Sequence, residues 1–366
     1  RRRSKTGSSL ETCEDNLIVT RQYACVVDGA TSCSTKRWTS ENLTGGQWAS
    51  RVVCQAVQEI SVLEDHDPQA DCMTPPEIVS YVTQSLSDAY KKEGVWEYMK
   101  HHPQERATAS FVLYSYHRQQ LIMVGDCQAM ITVTQFEPQQ QGKHVIIQQQ
   151  QQQYHHEKFV DTVTSQARAM FLSSELLLNS NTTTTTTTTD SETTTTQNDP
   201  PLSTIQDLQK CDTGRQFIQD LLIRQRLFQN NPNAPSKYRY WVMDGFPIDM
   251  EEGVHIHPLI TATTTTATCP NSIQQEQQQE KQPPCFVTEV ILATDGYPKL
   301  FPTLAETEAY WKQCVTHDPL LISHNDDDDD IHDMTNSTKH ASIVSTKGVA
   351  LHAESYDDRT YLRLQL

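Results

Sequence analysis

Apolar positions fall along the chain in runs that predict several strands in succession, interrupted by helices rather than alternating with them. The strand-like segments are rich in β-branched and aromatic residues. They lie within residues 23–29, 108–136, 238–249, 285–295 and 357–366. Because the strands are grouped, the pattern predicts an α+β fold with antiparallel sheets covered by helices.

Three segments have helical spacing of apolar residues, and two of them carry an N-terminal signal. The segments cover residues 45–63, 74–92 and 303–315. Thr74 and Glu77 form a capping-box pattern with Pro75 in the first turn. Thr303 and Glu306 repeat the capping box.

Tracts of Gln, Thr and Asp interrupt these elements. They carry too little apolar surface to offset the entropy of ordering them, so we expect disordered inserts on the surface of a compact domain. The predicted organisation is one domain over residues 1–366, with inserts at about 137–158, 179–201, 261–284 and 323–338.

An Asp-Gly pair closes two of the apolar runs, Asp28-Gly29 and Asp295-Gly296. Asp-Gly is a favoured hairpin turn, but a hairpin needs a second strand directly afterwards. Polar, unpatterned residues or a helix follow both pairs, so the hairpin interpretation fails there. At Asp244-Gly245 the following residues could pair back, and there we predict a hairpin turn.

Carboxylates stand at the entry or exit of five strand-like segments. Each one alone is explained as well by turn capping. Taken together, they suggest a shared site, because carboxylates brought together repel one another unless hard divalent cations neutralise them. The residues are Glu14-Asp15, Asp28, Asp126, Asp295 and Asp357-Asp358.

Six motifs in order carry a resemblance to a known family. They are CEDN, ACVVDGATS, RATASFVLYS, LIMVGDCQAM, VILATDGYPKLF and DDRTYLRL. This series resembles the protein phosphatase 2C family, metal-dependent (PPM-type) phosphatases that act on phosphoserine and phosphothreonine. The resemblance runs from about residue 7 to the end of the chain.

The resemblance implies a sandwich of two antiparallel β-sheets flanked by helix pairs, with two Mn²⁺ or Mg²⁺ ions sharing a water at one end. That water, held by Asp28, Asp295 and Asp357, would attack the phosphoryl group without a covalent enzyme intermediate. Asp28 would bridge both ions, the carbonyl of Gly29 would bind the second, and Asp295 and Asp357 would bind the first. Oxygen-only ligands suit these ions.

Three further acidic residues receive roles from the same resemblance. Glu14 and Asp15 would hold metal-bound waters from the second shell. Asp126 would help to bind a third, weaker ion.

The chain departs from the family pattern at two places that concern catalysis. Where the family has His-Gly-Gly after the first Asp-Gly, this chain has Ala30-Thr31-Ser32, so the histidine that assists the leaving group in animal members is missing. Leu10 stands where a phosphate-binding arginine is common. The leading hypothesis is a divergent protein phosphatase, and the alternative is a weak or inactive pseudophosphatase used as a binding module. A phosphatase for small metabolites ranks last, because we expect an acidic rim to repel anionic metabolites.

Charge and cysteine content narrow the partners and the compartment. The 366 residues carry a net charge of −17, which argues against nucleic acid as a partner. Ten scattered cysteines without a C-x-x-C pair indicate reduced thiols, as in a cytoplasmic or nuclear protein. No apolar stretch of membrane-spanning length or secretory leader is evident, although the chain begins without Met and its targeting is undetermined. We expect a monomer that acts on phosphorylated proteins.

Histidines in two places have another possible role. His255 and His257 would share one strand face, a geometry that can bind zinc. Without a third ligand at motif spacing, the sequence favours a structural pair. His155-His156 lies in a polar segment and is predicted to be solvated.

Overall fold

The computed structural model describes residues 1–7, 10–30, 36–39, 41–66, 72–138, 144–182, 204–259, 285–323 and 343–366. Within them the chain forms ten strands and eight α-helices. The strands are β1 Arg2–Arg3, β2 Asn16–Val19, β3 Tyr23–Gly29, β4 Ala109–Ser115, β5 Gln120–Val124, β6 Gln128–Pro138, β7 His144–His155, β8 His255–Pro258, β9 Cys285–Ala293 and β10 Arg359–Gln365. The helices are α1 Gly45–His66, α2 Pro75–Lys92, α3 Trp96–His101, α4 Phe159–Thr182, α5 Ile205–Lys210, α6 Thr213–Phe217, α7 Gln219–Arg224 and α8 Leu304–His317.

The strands form two five-stranded sheets, and the named pairs are antiparallel. One sheet has the order β1-β10-β9-β6-β7 and the other the order β2-β3-β4-β5-β8. We call them the first and the second sheet. The predicted α+β fold with two antiparallel sheets is therefore confirmed.

Side-chain alternation along β3 explains the layering. Ala24 and Val26 pack between the two sheets, together with Val290 and Leu292 of β9. The intervening residues, such as Val27, pack on the other side of the second sheet against α1 and α2. A strand covered on both faces reads as a continuous apolar run, which is how the sequence shows it.

The helices begin where their sequence signals place them. The backbone N–H of Thr74 donates to the Glu77 carboxylate at 2.7 Å, and that of Thr303 donates to Glu306 at 3.1 Å. Both capping boxes are confirmed. Helix α8 packs on the outer face of the first sheet, where Trp311 joins Ile291 and Ala293.

The insert predicted at about 137–158 is wrong for most of its length. Residues 144–155 form β7, which pairs along β6, with Gln151 opposite Thr132 and Gln153 opposite Met130. An edge strand needs backbone pairing rather than apolar side chains on both faces, so a Gln run can supply it. The inserts predicted at about 179–201, 261–284 and 323–338 lie largely outside the described residues.

The hairpin predicted at Asp244-Gly245 is also wrong. The buried Asp244 carboxylate accepts hydrogen bonds from Arg106, Gln229 and Asn230 at 3.1, 2.8 and 2.6 Å. The residues that follow pair elsewhere, because β8 lies against β5. The apolar run before Asp244 is not a named strand and contributes only isolated bridges, such as Met243 with Ala109.

Candidate functional site

Asp28 and Asp295 reach one end of the sandwich from different sheets. Asp28 occupies the same strand face as Ala24 and Val26, so its side chain lies on the inner side of β3. Asp295 follows β9 by two residues. Oxygens of the two carboxyl groups lie within 4.8 Å of each other.

Asp126 completes a group of three carboxylates. It lies in the turn between β5 and β6, and the ligand oxygens of Asp28, Asp126 and Asp295 all lie within 4.8 Å of one another. The hydroxyl of Ser110 donates to Asp126 at 2.6 Å and helps to hold this side chain. Three predicted site residues thus meet at one point.

Burial and the neighbouring carboxylates raise the free energy of the charged state of this cluster. Burial, followed by the charges of Asp295 and Asp15, raises the pKa of Asp28 well above its usual value. Burial, followed by Asp126 and Asp357, raises the pKa of Asp295 to about 7. Such shifts are typical of a site built to hold a neutralising cation.

Three lysines pair with carboxylates of the site, and one of these pairs joins Lys5 Nζ to Glu14 Oε2 at 3.3 Å. Lys158 Nζ lies 2.5 Å from Asp126 Oδ2, and Lys347 Nζ lies 2.5 Å from Asp357 Oδ2. Burial alone would raise the pKa of Asp126 and of Asp357, but the neighbouring ammonium groups outweigh it and lower both. Lys158 therefore forms an ion pair with Asp126, the carboxylate that we expected to help bind a third ion.

Glu14 and Asp15 lie beside the cluster, where they form hydrogen bonds with other parts of the protein. Glu14 accepts from the Thr44 hydroxyl at 2.6 Å, and Asp15 accepts from the Thr294 hydroxyl at 2.9 Å. Burial, followed by Asp358 and Asp357, raises the pKa of Asp15 well above its usual value. The position of Asp15 next to Asp295 in the fold is consistent with a supporting role.

Asp358 has a structural task that separates it from its neighbour Asp357. Its carboxylate accepts the backbone N–H groups of Lys5 at 2.7 Å and of Glu14 at 2.6 Å. Asp358 thus fixes the N-terminal segment to the site, while Asp357 lines the cavity described below.

The glycines after Asp28 and Asp295 allow the protein's own backbone to approach closely. A Cβ on Gly29 would lie 2.4 Å from the carbonyl oxygens of Glu14 and Gly46, and one on Gly296 would lie 1.9 Å from that of Asp358. Any side chain at either place would push apart the segments that carry the acidic residues.

The carboxylates line a cavity of about 520 Å³. Four basic residues also line it: Lys158, Arg215, Arg226 and Lys347. Ala30 lies on the same wall as Asp28, whereas Leu10 is 56 % exposed on the surface and is not among the lining residues. The wall also carries six acidic residues, so the acidic rim expected from the sequence stays a prediction; they are Asp28, Asp126, Glu157, Asp161, Asp295 and Asp357. Thr31 and Ser32 lie outside the described residues.

Sequence reasoning missed Lys158, Lys347, Ser110 and Thr294 as partners of the site. Ser110 alone had a usable signal, because it pairs with Asp28 across β3 and β4. The lysines lie in segments without periodicity, and only the folded chain brings them to the carboxylates.

No family model and no curated protein matches the chain. Solved structures similar to it include the serine/threonine phosphatase PstP/Ppp of Mycobacterium tuberculosis, with 12 % identity over 85 % of this chain and 83 % of that chain at a TM-score of 0.31. The serine/threonine phosphatase Stp1 of Staphylococcus aureus matches with 10 % identity over 100 % of this chain and 94 % of that chain at a TM-score of 0.33. PppA of Pseudomonas aeruginosa, described as a regulatory component of the T6SS, matches with 11 % identity over 85 % and 82 % at a TM-score of 0.32. At these TM-scores the similarity supports no argument about activity. Activity has to be argued from the side-chain geometry.

Proposed function

We propose that this protein is a metal-dependent phosphatase of phosphoserine and phosphothreonine in proteins. The observation that carries the proposal is the group formed by Asp28, Asp126 and Asp295, whose oxygens lie within 4.8 Å of one another on the wall of a cavity. The motif order of the sequence supports the same activity.

The donor set fits hard divalent cations. It consists of carboxylate oxygens with raised pKa values at Asp28 and Asp295, and such ligands suit Mg²⁺ and Mn²⁺ better than zinc. We assign Asp28, Gly29, Asp295 and Asp357 to two ions and Asp126 to a third, weaker one. Glu14 and Asp15 would hold waters bound to these ions. When bound, the ions supply an activated water and neutralise charge on the phosphoryl group.

The basic residues of the cavity suit an anionic substrate. Lys158 forms an ion pair with Asp126, and Lys347 forms one with Asp357. On the wall of the same cavity, Arg226 donates a hydrogen bond to the Thr108 hydroxyl at 2.9 Å. These cations offset the acidic cluster, so that a phosphoryl group meets less repulsion on entry. Arg226 and Lys158 would orient the phosphoryl oxygens through charge-assisted hydrogen bonds.

The alternative is a pseudophosphatase that binds phosphorylated protein without turnover. The observation in its favour is that Lys158 and Lys347 already pair with Asp126 and Asp357. Protein ammonium groups can neutralise a carboxylate in place of a metal ion. Ala30 stands where the phosphatase 2C family has a histidine, which also favours the pseudophosphatase.

A titration with Mn²⁺ tests the proposal. We expect phosphate release from an aryl phosphate and from phosphoserine and phosphothreonine peptides to rise with Mn²⁺ or Mg²⁺ and to stop with EDTA. Calorimetry should show Mn²⁺ binding to the same protein sample. Phosphopeptide binding without turnover, with or without Mn²⁺ binding, would favour the pseudophosphatase. Absence of Mn²⁺ binding would overturn the metal-dependent phosphatase, and absence of both Mn²⁺ and phosphopeptide binding would overturn both hypotheses.

A substrate panel tests the class. We expect phosphopeptides to be preferred over small phosphorylated metabolites at equal concentration, and the reverse preference would replace the protein substrate with a metabolite.

We further propose a monomer in the cytoplasm or nucleus, in keeping with the acidic net charge of −17 and the free state of Cys25, Cys54 and Cys127. Within the described residues, no helix has the length and apolar character needed to cross a membrane.

A further inference from the structure

Three histidines meet where the edge strands of the two sheets come together. Strand β7 ends the first sheet and β8 ends the second. The ring of His156, directly after β7, lies 3.5 Å from that of His255 and 5.8 Å from that of His257, measured between ring centroids. Tyr154 adds a fourth ring, 4.3 Å from His257.

The two strand histidines share a face of β8. His255 lies opposite Met123 and His257 opposite Leu121 in the register with β5, so both side chains project on the same side of the second sheet. The third histidine comes from the other sheet. The ligand that was missing from the His255-Ile256-His257 pattern is therefore supplied by the fold, and the prediction of a solvated His156 is wrong.

Ring nitrogens in this cluster lack partners. The Nε2 atoms of His156 and His257 are buried and have no hydrogen-bond partner within the described part of the chain. Buried polar atoms are normally paired, so an unpaired pair of ring nitrogens in one cluster points to a missing ligand. Both atoms are histidine ring nitrogens, which are common metal ligands.

We propose that His156, His255 and His257 form a second metal site, selective for Zn²⁺ or a similar first-row transition metal, that links the two sheets. Imidazole nitrogen suits Zn²⁺ and disfavours Mg²⁺, so this site and the carboxylate site select different ions. Three histidines leave the fourth position of a tetrahedral zinc to water.

The present ring arrangement requires one local movement. The His156 ring is nearly parallel to both partners, at 12° and 9°. Rings bound to one tetrahedral ion through bonds of about 2 Å stand about 5 Å apart between centroids. The ligand nitrogens of the three rings do not all lie within 4.8 Å of one another in this arrangement, so His156 has to turn away from its 3.5 Å stack with His255 to bring them together.

The test measures metal binding and does not depend on phosphatase activity. Wild-type protein is saturated with Mg²⁺ to occupy carboxylate sites and then titrated with Zn²⁺, and separately with Co²⁺ followed by absorption spectroscopy. The variants are His255→Gln and His257→Gln, and His101→Gln in α3 is the matched control. Far-UV circular dichroism and thermal unfolding confirm that each variant is folded.

We expect one Zn²⁺ per wild-type chain, a tetrahedral Co²⁺ spectrum and a higher melting temperature with Zn²⁺. Either β8 variant should weaken Zn²⁺ binding at least about tenfold, because loss of an outer-shell partner alone has an effect of that size. His101→Gln should behave as wild type. Equal Zn²⁺ affinity in wild type and His257→Gln, or an octahedral Co²⁺ spectrum, would overturn the proposal. If both β8 variants fail to fold, His156→Gln decides by the same criterion.

Discussion

Asp28 and Asp295 bring carboxylate oxygens to within 4.8 Å of each other, although Asp28 lies in β3 of the second sheet and Asp295 follows β9 of the first. The two residues stand 267 positions apart in the sequence. Burial, followed by the charges of neighbouring carboxylates, raises the pKa of both residues. The folded chain therefore holds more protons at this place than the separate residues would. A divalent cation bound there would displace such a proton.

Replacing Asp295 with Asn should separate activity from stability. The amide removes a buried carboxyl group whose charged form is disfavoured in the folded state, so the EDTA-treated variant should unfold at the same temperature as wild type or higher. Metal-dependent hydrolysis of an aryl phosphate should fall by about a hundredfold or more, since metal ions contribute several kcal/mol to such reactions.

Asp88→Asn in α2 serves as the control, because Asp88 is exposed and pairs with Lys91 at 2.8 Å on the surface. Unchanged turnover and unchanged Mn²⁺ affinity in Asp295→Asn would remove Asp295 from the proposed site.

Metal-free protein should lose stability as pH rises. Burial, followed by Asp126 and Asp357, raises the pKa of Asp295 from 3.8 to about 7. A carboxyl with a raised pKa in the folded state stabilises that state fully below its unfolded pKa, and the contribution is lost as pH rises through the folded value. In EDTA, the free energy of unfolding should therefore fall between about pH 4 and pH 7.

Two observations would check this pH dependence. Saturating Mg²⁺ should reduce the decline near pH 7, because the ion neutralises the carboxylates. The Asp295→Asn variant in EDTA should show a shallower decline than wild type, and an equal slope in urea unfolding would contradict the assignment.

Much of the site could be predicted from the sequence because strands signal their own ends. Continuous apolar runs place Asp28 and Asp295 at strand ends, and side-chain alternation puts Asp28 on the inner face. The Gln run was misread, since composition alone does not show that 144–155 pairs with β6. The lysine partners of Asp126 and Asp357 depend on tertiary packing, for which local patterns give no signal.

Removing the Lys158 ammonium should destabilise the metal-free protein. In Lys158→Met the buried Asp126 carboxylate loses a partner at 2.5 Å, and breaking a buried pair costs about 3 kcal/mol. Urea unfolding in EDTA measures this loss. Lys91→Met, which breaks the exposed pair with Asp88, should cost less than about 1 kcal/mol.

The same variant tests whether Lys158 competes with a divalent ion for Asp126. With the ammonium gone, Mn²⁺ should bind more tightly or with one further equivalent, and it should restore part of the lost stability. Unchanged Mn²⁺ binding would show that Asp126 serves Lys158 alone.

The Gln strand should contribute measurable stability through one side chain. Gln153 donates to the carbonyl of Leu300 at 2.9 Å, joining β7 to the segment before α8. Gln153→Ala should lower the free energy of unfolding by about 0.5–1 kcal/mol, the net value of a typical hydrogen bond. Gln151→Ala, two residues earlier on the same strand face, should change it by less, and equal losses would refute the role of this bond.

Placing a histidine at position 30 should change the rate according to the leaving group. Ala30 lies on the cavity wall beside Asp28, so a longer side chain at this position can extend into the cavity. Its backbone N–H donates to the carbonyl oxygen of Thr108 at 3.0 Å. A serine leaving group needs a proton more than an aryl leaving group does. Ala30→His should therefore speed hydrolysis of phosphoserine peptides by about a hundredfold, the lower range for general acid catalysis, and change aryl phosphate hydrolysis little.

Ala30→Gln is the matched control, because its amide has similar reach but cannot transfer a proton near neutral pH. A pH profile of the peptide reaction should gain a limb that belongs to the new imidazole. Equal acceleration of both substrates would indicate improved binding rather than proton transfer. If the peptide rate stays at background while Mn²⁺ still binds, the missing histidine does not limit the reaction, and the lysine-occupied carboxylates of the pseudophosphatase alternative become the better explanation.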